Sequence, residues 1–105
     1  MALILDKTEQ KIVDIIDAHR NEIIAFAKDI YTHAELGYKE YRTAEKFASF
    51  MKNLGLETKE GLAVTGVKAY LNEEKKTNVS LALIGELYAL HIPEHKYANL
   101  ETQGA

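Results

Sequence analysis

The chain has 105 residues, a net charge of −3 and no cysteine, and 47% of its residues are hydrophobic. This composition is typical of one small globular domain. Charges of both signs are spread along the sequence, so no basic block predicts a nucleic-acid or membrane partner. The lack of cysteine excludes disulfides and thiolate metal sites and is compatible with the cytosol. We expect a cytoplasmic protein without a signal peptide or a membrane span.

A long helix is predicted over residues 7–33. Apolar side chains recur there at spacings of three and four residues, which places them on one helix face. This face comprises Ile12, Ile16, His19, Ile23, Phe26, Ala27 and Ile30. Asp6 is the expected N-cap, and Glu9 would complete a capping box. We interpret His19 as structural and His33 as a cation at the helix C-terminus, where it meets the helix dipole favourably.

A second helix is predicted over residues 40–54, with its own apolar face of Ala44, Phe47, Ala48, Met51 and Leu54. Lys52 lies in the last turn of this helix. Gly55 comes directly after the helix, at the position where a glycine in the left-handed conformation commonly ends a helix. This pattern therefore has both a hydrophobic face and a stop signal.

After Gly55 the spacing of the apolar residues changes from three or four to two. Residues 56–60 and 67–71 alternate around a turn flanked by Gly61 and Gly66, which predicts a β-hairpin with one solvent-facing side. Residues 79–85 form a nearly continuous apolar run, which is typical of a strand covered on both faces. Within residues 56–85 we therefore expect three strands.

The element order predicts an α/β fold in which two helices pack on a three-stranded mixed sheet. We expect one core formed by Ile23, Ile30, Phe47, Met51, Leu81 and Leu83. Residues 86–105 have no periodicity, and such a long irregular tail is unusual in a compact domain. We therefore expect residues 1–105 to form a single partial domain, a fragment of something longer.

Two groups of polar residues are candidate sites. The segment from His91 to His95 matches the H-x-x-E-H pattern of one zinc-peptidase class. Pro93 is incompatible with the helix that this chemistry needs, so we attribute the match to chance and expect only loose metal binding. Glu35 and Glu40 are a possible carboxylate pair, although solvated carboxylates are the default interpretation.

Four segments carry a family resemblance: Ile30 to Glu40 with His33-Ala34-Glu35-Leu36, Thr43-Ala44-Glu45 opening a helix that ends Leu54-Gly55, Gly61 to Ala69, and Leu83 to Leu90 running on to Asn99. Together they resemble the metallopeptidase family of aminoacylases, bacterial N-acyl-amino-acid amidohydrolases and p-aminobenzoyl-glutamate hydrolase. The first is similar to the family's His-Pro-Glu-Leu motif and the third to its Gly-x-x-x-Thr-Gly hairpin. The resemblance covers nearly the whole chain in the family's order and spacing.

The resemblance implies a two-metal aminopeptidase-like catalytic domain that uses zinc or manganese to cleave amide bonds. Ala34 replaces the usual Pro, and Tyr88 stands where the family usually has Asp beside its metal site. A phenol cannot replace that carboxylate at neutral pH. The family's metal-binding His-Ala-Cys-Gly-His segment would come after residue 105. No residue of this chain is therefore predicted to be catalytic, cofactor-binding or a metal ligand.

We accordingly expect the N-terminal part of a metal-dependent amidohydrolase, acting on N-acyl amino acids or small peptides and inactive as this isolated chain. The alternative is a stand-alone non-catalytic module that self-associates. Since residues 79–84 have no proline or charge to prevent edge pairing, we expect a homo-oligomer formed through that segment.

Overall fold

A computed structural model describes residues 3–71, 81–102 and 104–105. The chain forms two compact units, Met1–Ile30 and Tyr31–Ala105. Among the described residues there are three helices and two strands, so the architecture is mixed α/β. None of these helices is both long and apolar enough to cross a membrane.

The first unit contains α1, Lys7–Ala18, and most of α2, Arg20–Thr32. The capping box is confirmed: the Glu9 amide donates to the Asp6 carboxylate at 2.8 Å, and the Asp6 amide donates to Glu9 Oε2 at 2.9 Å. The single helix predicted over residues 7–33 is interrupted at His19. The His19 amide is shared between the carbonyls of Ile15 and Ile16 at 3.2 and 3.1 Å, a tightened turn that divides the helix in two.

The second predicted helix is present as α3, Tyr41–Asn53. It ends as its sequence indicates, at Gly55 with φ 80°. The Gly55 amide donates to the carbonyl of Lys52 at 2.9 Å, and the Leu56 amide donates to that of Met51 at 3.2 Å. These two bonds form a Schellman motif, which satisfies carbonyls that the helix end would leave unpaired.

The predicted β-hairpin is confirmed as β1, Glu57–Leu62, and β2, Gly66–Tyr70, which pair antiparallel. Its register has one irregularity between Lys59 and Leu62. Gly61 lies there with φ 69°, as in a β-bulge that places a glycine in the left-handed region. Helix α3 packs against both strands.

The solvent-facing side of the hairpin is also confirmed. Lys59 and Lys68 are directly opposite one another and both are exposed. Their ammonium nitrogens lie 5.3 and 5.2 Å from the centre of the Tyr70 ring. The attraction of each cation to the aromatic ring offsets part of the repulsion between two like charges.

The predicted three-stranded mixed sheet is wrong, since the described residues form one sheet of two antiparallel strands. Val79 and Ser80 lie outside the described residues, and Leu81–Gly85 form no strand. Leu81, Leu83 and Ile84 are 86%, 92% and 93% exposed. The apolar run has the composition of a buried strand, but no described strand provides the backbone partners that a sheet position needs.

The predicted core is also largely wrong. Ile23 is 49% exposed and Leu81 and Leu83 are almost fully exposed, while Ile30, Phe47 and Met51 are only half-buried. Burial concentrates instead where α3 meets the hairpin. The buried residues there are Ala44 and Ala48, together with the polar residues Glu40, Thr43 and Thr65.

The predicted irregular tail has neither helix nor strand in its described part, yet it folds back on itself. Leu90 and Ala105 exchange both backbone hydrogen bonds, at 3.0 and 2.9 Å, next to an isolated bridge between His91 and Gly104. The tail therefore forms a closed loop held by its own backbone.

Candidate functional site

The most organised polar cluster of the second unit lies at the start of α3. Glu35 precedes that helix, and its carboxylate accepts hydrogen bonds from the amides of Arg42 and Thr43 at 3.1 and 2.7 Å. The Thr43 hydroxyl donates to the same carboxylate at 2.7 Å. Glu40, the N-cap residue, makes no capping bond with its side chain. Glu35 therefore satisfies the free amides of the first turn in its place.

Glu40 makes a different connection. Its Oε2 atom accepts a hydrogen bond of 2.7 Å from the hydroxyl of Thr65, which lies in the turn between β1 and β2. Both side chains are buried, at 7% exposed each. The bond links the start of α3 to the tip of the hairpin.

Both carboxyl groups favour the ionised form. Burial on its own would raise the pKa of Glu35, but hydrogen bonds from Thr43 and Arg42 and the positive charge of Arg42 lower that pKa below its ordinary value. Burial on its own would also raise the pKa of Glu40, but hydrogen bonds from Thr65 and from backbone amides lower that pKa below its ordinary value. The nearby negative charge of Glu35 raises the pKa of Glu40, so the two carboxylates lie close enough to interact.

This arrangement limits what the pair does chemically. An ionised carboxylate whose oxygens already accept hydrogen bonds is a poor general acid at neutral pH. Two negative charges near the N-terminus of α3 are favourable to the helix dipole. The geometry therefore makes both carboxylates positioning residues: Glu35 holds the first turn of α3, and Glu40 fixes α3 relative to the hairpin.

The default interpretation of Glu35 and Glu40 as solvated carboxylates is wrong for Glu40, which is buried. Thr43 and Thr65, which hold this pair, were not predicted from the sequence to contact it. A signal was available, because both threonines lie within segments that resemble the metallopeptidase family. Spacing along the chain could not reveal the contact, since 25 residues separate Glu40 from Thr65.

The histidines singled out in the sequence lie elsewhere. His91 lies in the isolated bridge with Gly104, and turns follow from Pro93 onward. Nδ1 of His95 accepts a bond from the Tyr97 amide at 3.1 Å. His19 is exposed and lies 3.0 Å from Glu22. The Thr32 hydroxyl lies 3.1 Å from Nδ1 of His33, just beyond α2.

Zinc or manganese does not fit the part of the chain that the structure describes. Within residues 3–71, 81–102 and 104–105, no three carboxylate or imidazole side chains converge in a way that could hold a metal ion. Tyr88, at the position where the resemblance expects Asp, is 44% exposed. No step of a reaction is therefore assigned to a metal held by these residues.

The site thus belongs to a mixed α/β unit in which two neighbouring carboxylates, Glu35 and Glu40, each accept a hydrogen bond from a threonine. Two known proteins are similar in sequence to this chain. The chain is 27% identical over 90 residues to thermostable carboxypeptidase 1 of Saccharolobus solfataricus, which covers 79% of this chain and 23% of that protein. It is 27% identical over 89 residues to thermostable carboxypeptidase 2 of the same organism, which covers 78% of this chain and 23% of the relative. The chain thus spans about a quarter of the length of these relatives. No protein-family model and no solved structure matches it.

Proposed function

We propose that this chain is the N-terminal part of the catalytic domain of a metal-dependent amidohydrolase or peptidase. The reaction is cleavage of an amide bond in an N-acyl amino acid or a small peptide, with zinc or manganese bound by residues outside this chain. The main support is the similarity to two carboxypeptidases, which extends over more than three quarters of the chain. The family resemblance of the four sequence segments points to the same hydrolase class.

The contacts of Glu35 agree with this role. Its side chain holds the first turn of α3, and its carbonyl accepts a hydrogen bond from the Ala89 amide at 2.7 Å. Ala89 belongs to the segment that, in the resemblance, precedes the metal-binding residues. In this proposal, the chain supplies a scaffold that fixes the direction in which that segment leaves the unit, while the ligands themselves come from further along the protein.

The test compares the isolated chain with the protein in its native source. We expect the native protein to be longer than 105 residues, to hydrolyse N-acyl amino acids or short peptides, and to be inhibited by a chelator. The isolated chain should show no turnover with added zinc or manganese, because a catalytic zinc site usually takes three protein ligands. A native mass of 11.8 kDa, or a longer protein inactive on both substrate classes, would contradict the proposal.

A second candidate is a stand-alone non-catalytic module that associates with another copy of itself through residues 79–84. The specific support is the exposure of Leu81, Leu83 and Ile84, three apolar side chains within four residues of the sequence. Analytical ultracentrifugation of the chain should then give a discrete dimer. Leu83→Lys should return it to monomer, whereas Leu100→Lys, at a residue 97% exposed, should leave the dimer intact. A monomer at micromolar concentration rules this candidate out.

A further inference from the structure

The tip of the hairpin has an unusual backbone. Ala63 and Val64, between β1 and β2, have φ angles of 46° and 81°. A β-branched residue such as Val64 is a genuine outlier in this left-handed region, because its side chain crowds the backbone there. Such strained residues persist only where the surrounding structure holds them, and they concentrate at functional and switching segments.

Val64 does not hold this conformation through its own side chain, which is 59% exposed. The residues that follow it are held more firmly. At Gly66, an added Cβ would lie 2.5 Å from the Leu62 carbonyl oxygen, so the backbone closes tightly at the base of the turn. Between these two residues, the Thr65 hydroxyl is the group that connects the tip to α3, through its 2.7 Å bond to Glu40.

We propose that the Glu40–Thr65 hydrogen bond is a latch that keeps Ala63 and Val64, at the hairpin tip, in their strained left-handed conformation. The bond is suited to this task because it is buried and charge-assisted, and such bonds are stronger than neutral ones. With the latch closed, Val64 is presented to solvent at a fixed position. When the bond is lost, Ala63 and Val64 relax to negative φ and the tip takes a second conformation.

The latch gives the unit a two-state element at one end of the sheet. A ligand or partner group that donates a hydrogen bond to Glu40 in place of Thr65 would release the tip. The strain at Val64 favours that release, so a small change at a buried carboxylate becomes a larger movement of an exposed apolar side chain.

A double-mutant cycle tests the latch directly. Val64→Gly removes the strain at Val64, and we expect it to raise the folding equilibrium constant more in the unaltered chain than in Thr65→Val, where the tip has already relaxed. The ratio of the two effects should be about fivefold or more, since backbone strain of this kind amounts to at least a factor of that size. The cycle cancels the extra unfolded-state freedom of glycine, because Val64→Gly introduces it in both backgrounds. Equal effects in the two backgrounds overturn the proposal.

Nuclear magnetic resonance supplies a second, direct measurement. The φ-dependent coupling between the α proton of Val64 and the carbonyl carbon of Ala63 is large at positive φ and small at negative φ. It should fall in Thr65→Val and stay unchanged in Thr65→Ser, which retains the hydroxyl donor. An unchanged coupling in Thr65→Val overturns the latch. If Thr65→Val does not fold, the cycle and the coupling are measured in Glu40→Met, which keeps the side-chain length and removes the carboxylate acceptor. In that variant, equal effects of Val64→Gly in the two backgrounds or an unchanged coupling again overturn the proposal.

Discussion

The backbone carbonyl of Glu35 accepts a hydrogen bond from the Ala89 amide at 2.7 Å, while the carboxylate of the same residue accepts three bonds from the first turn of α3. One residue thus connects the helix to a tail that is far away in sequence. The position of the tail and the start of α3 are therefore coupled through a single side chain and its own peptide group.

Replacing Glu35 with Ala should destabilise the second unit by roughly 1–3 kcal/mol, the usual cost of leaving a buried polar group without its partner. The reason is that Thr43, only 1% exposed, loses the acceptor of both its amide and its hydroxyl. Urea unfolding followed by circular dichroism measures the change. Glu45→Ala, an exposed carboxylate on α3, is the matched control and should stay within about 0.5 kcal/mol. Equal losses in the two variants would refute the capping role of Glu35.

Gly104→Ala should loosen the tail. An added Cβ there would lie 2.8 Å from the Cβ of Ala34 and 3.3 Å from that of Ala89, so the tail must move away. We expect hydrogen exchange at the Ala89 amide to accelerate roughly tenfold, in keeping with an overpacking cost of about 1–3 kcal/mol. Gly85→Ala, where an added Cβ meets nothing within 4 Å, is the control. Unaltered protection of Ala89 in Gly104→Ala would mean that the tail is not packed there.

Leu83→Ala should change the free energy of unfolding by less than about 0.5 kcal/mol, because the side chain is 92% exposed. A central position in a sheet would instead make this substitution cost roughly 2–5 kcal/mol. Ala48→Leu is the contrasting variant: Ala48 is 1% exposed, and the larger side chain should cost about 1–3 kcal/mol where α3 meets the hairpin. A large loss in Leu83→Ala would place that residue in a core after all.

The parts of the fold that depend on neighbouring residues could be predicted from the sequence. The capping box of Asp6 and Glu9 closes within four residues, and the helix stop at Gly55 needs only the last turn of α3. The hairpin follows from alternation on either side of a short turn. In each case the sequence pattern itself contains the partner groups, so no distant contact decides the outcome.

The parts that depend on distant contacts could not be predicted. The apolar run at Leu81–Ile84 has strand composition, but a strand exists only when another strand accepts and donates its backbone bonds. The pairing of Glu40 with Thr65 is likewise set by how α3 packs on the hairpin. The neighbours of Glu40 in sequence do not mark its carboxylate as buried, which is why solvation was the default expectation.

Acid should destabilise the second unit through Glu35 and Glu40. Both folded-state pKa values lie below the ordinary glutamate value of 4.5, so the unfolded chain binds more protons as the pH falls. The contribution of these carboxylates is therefore fully present above about pH 4.5 and is lost as the pH drops through the lowered pKa values. Urea unfolding at a series of pH values between about 6 and 3 should show this loss, with a shallower slope in Glu40→Gln and an unchanged slope in the exposed control Glu45→Gln. If Glu40→Gln keeps the full slope, the ionised form of Glu40 does not contribute to folding.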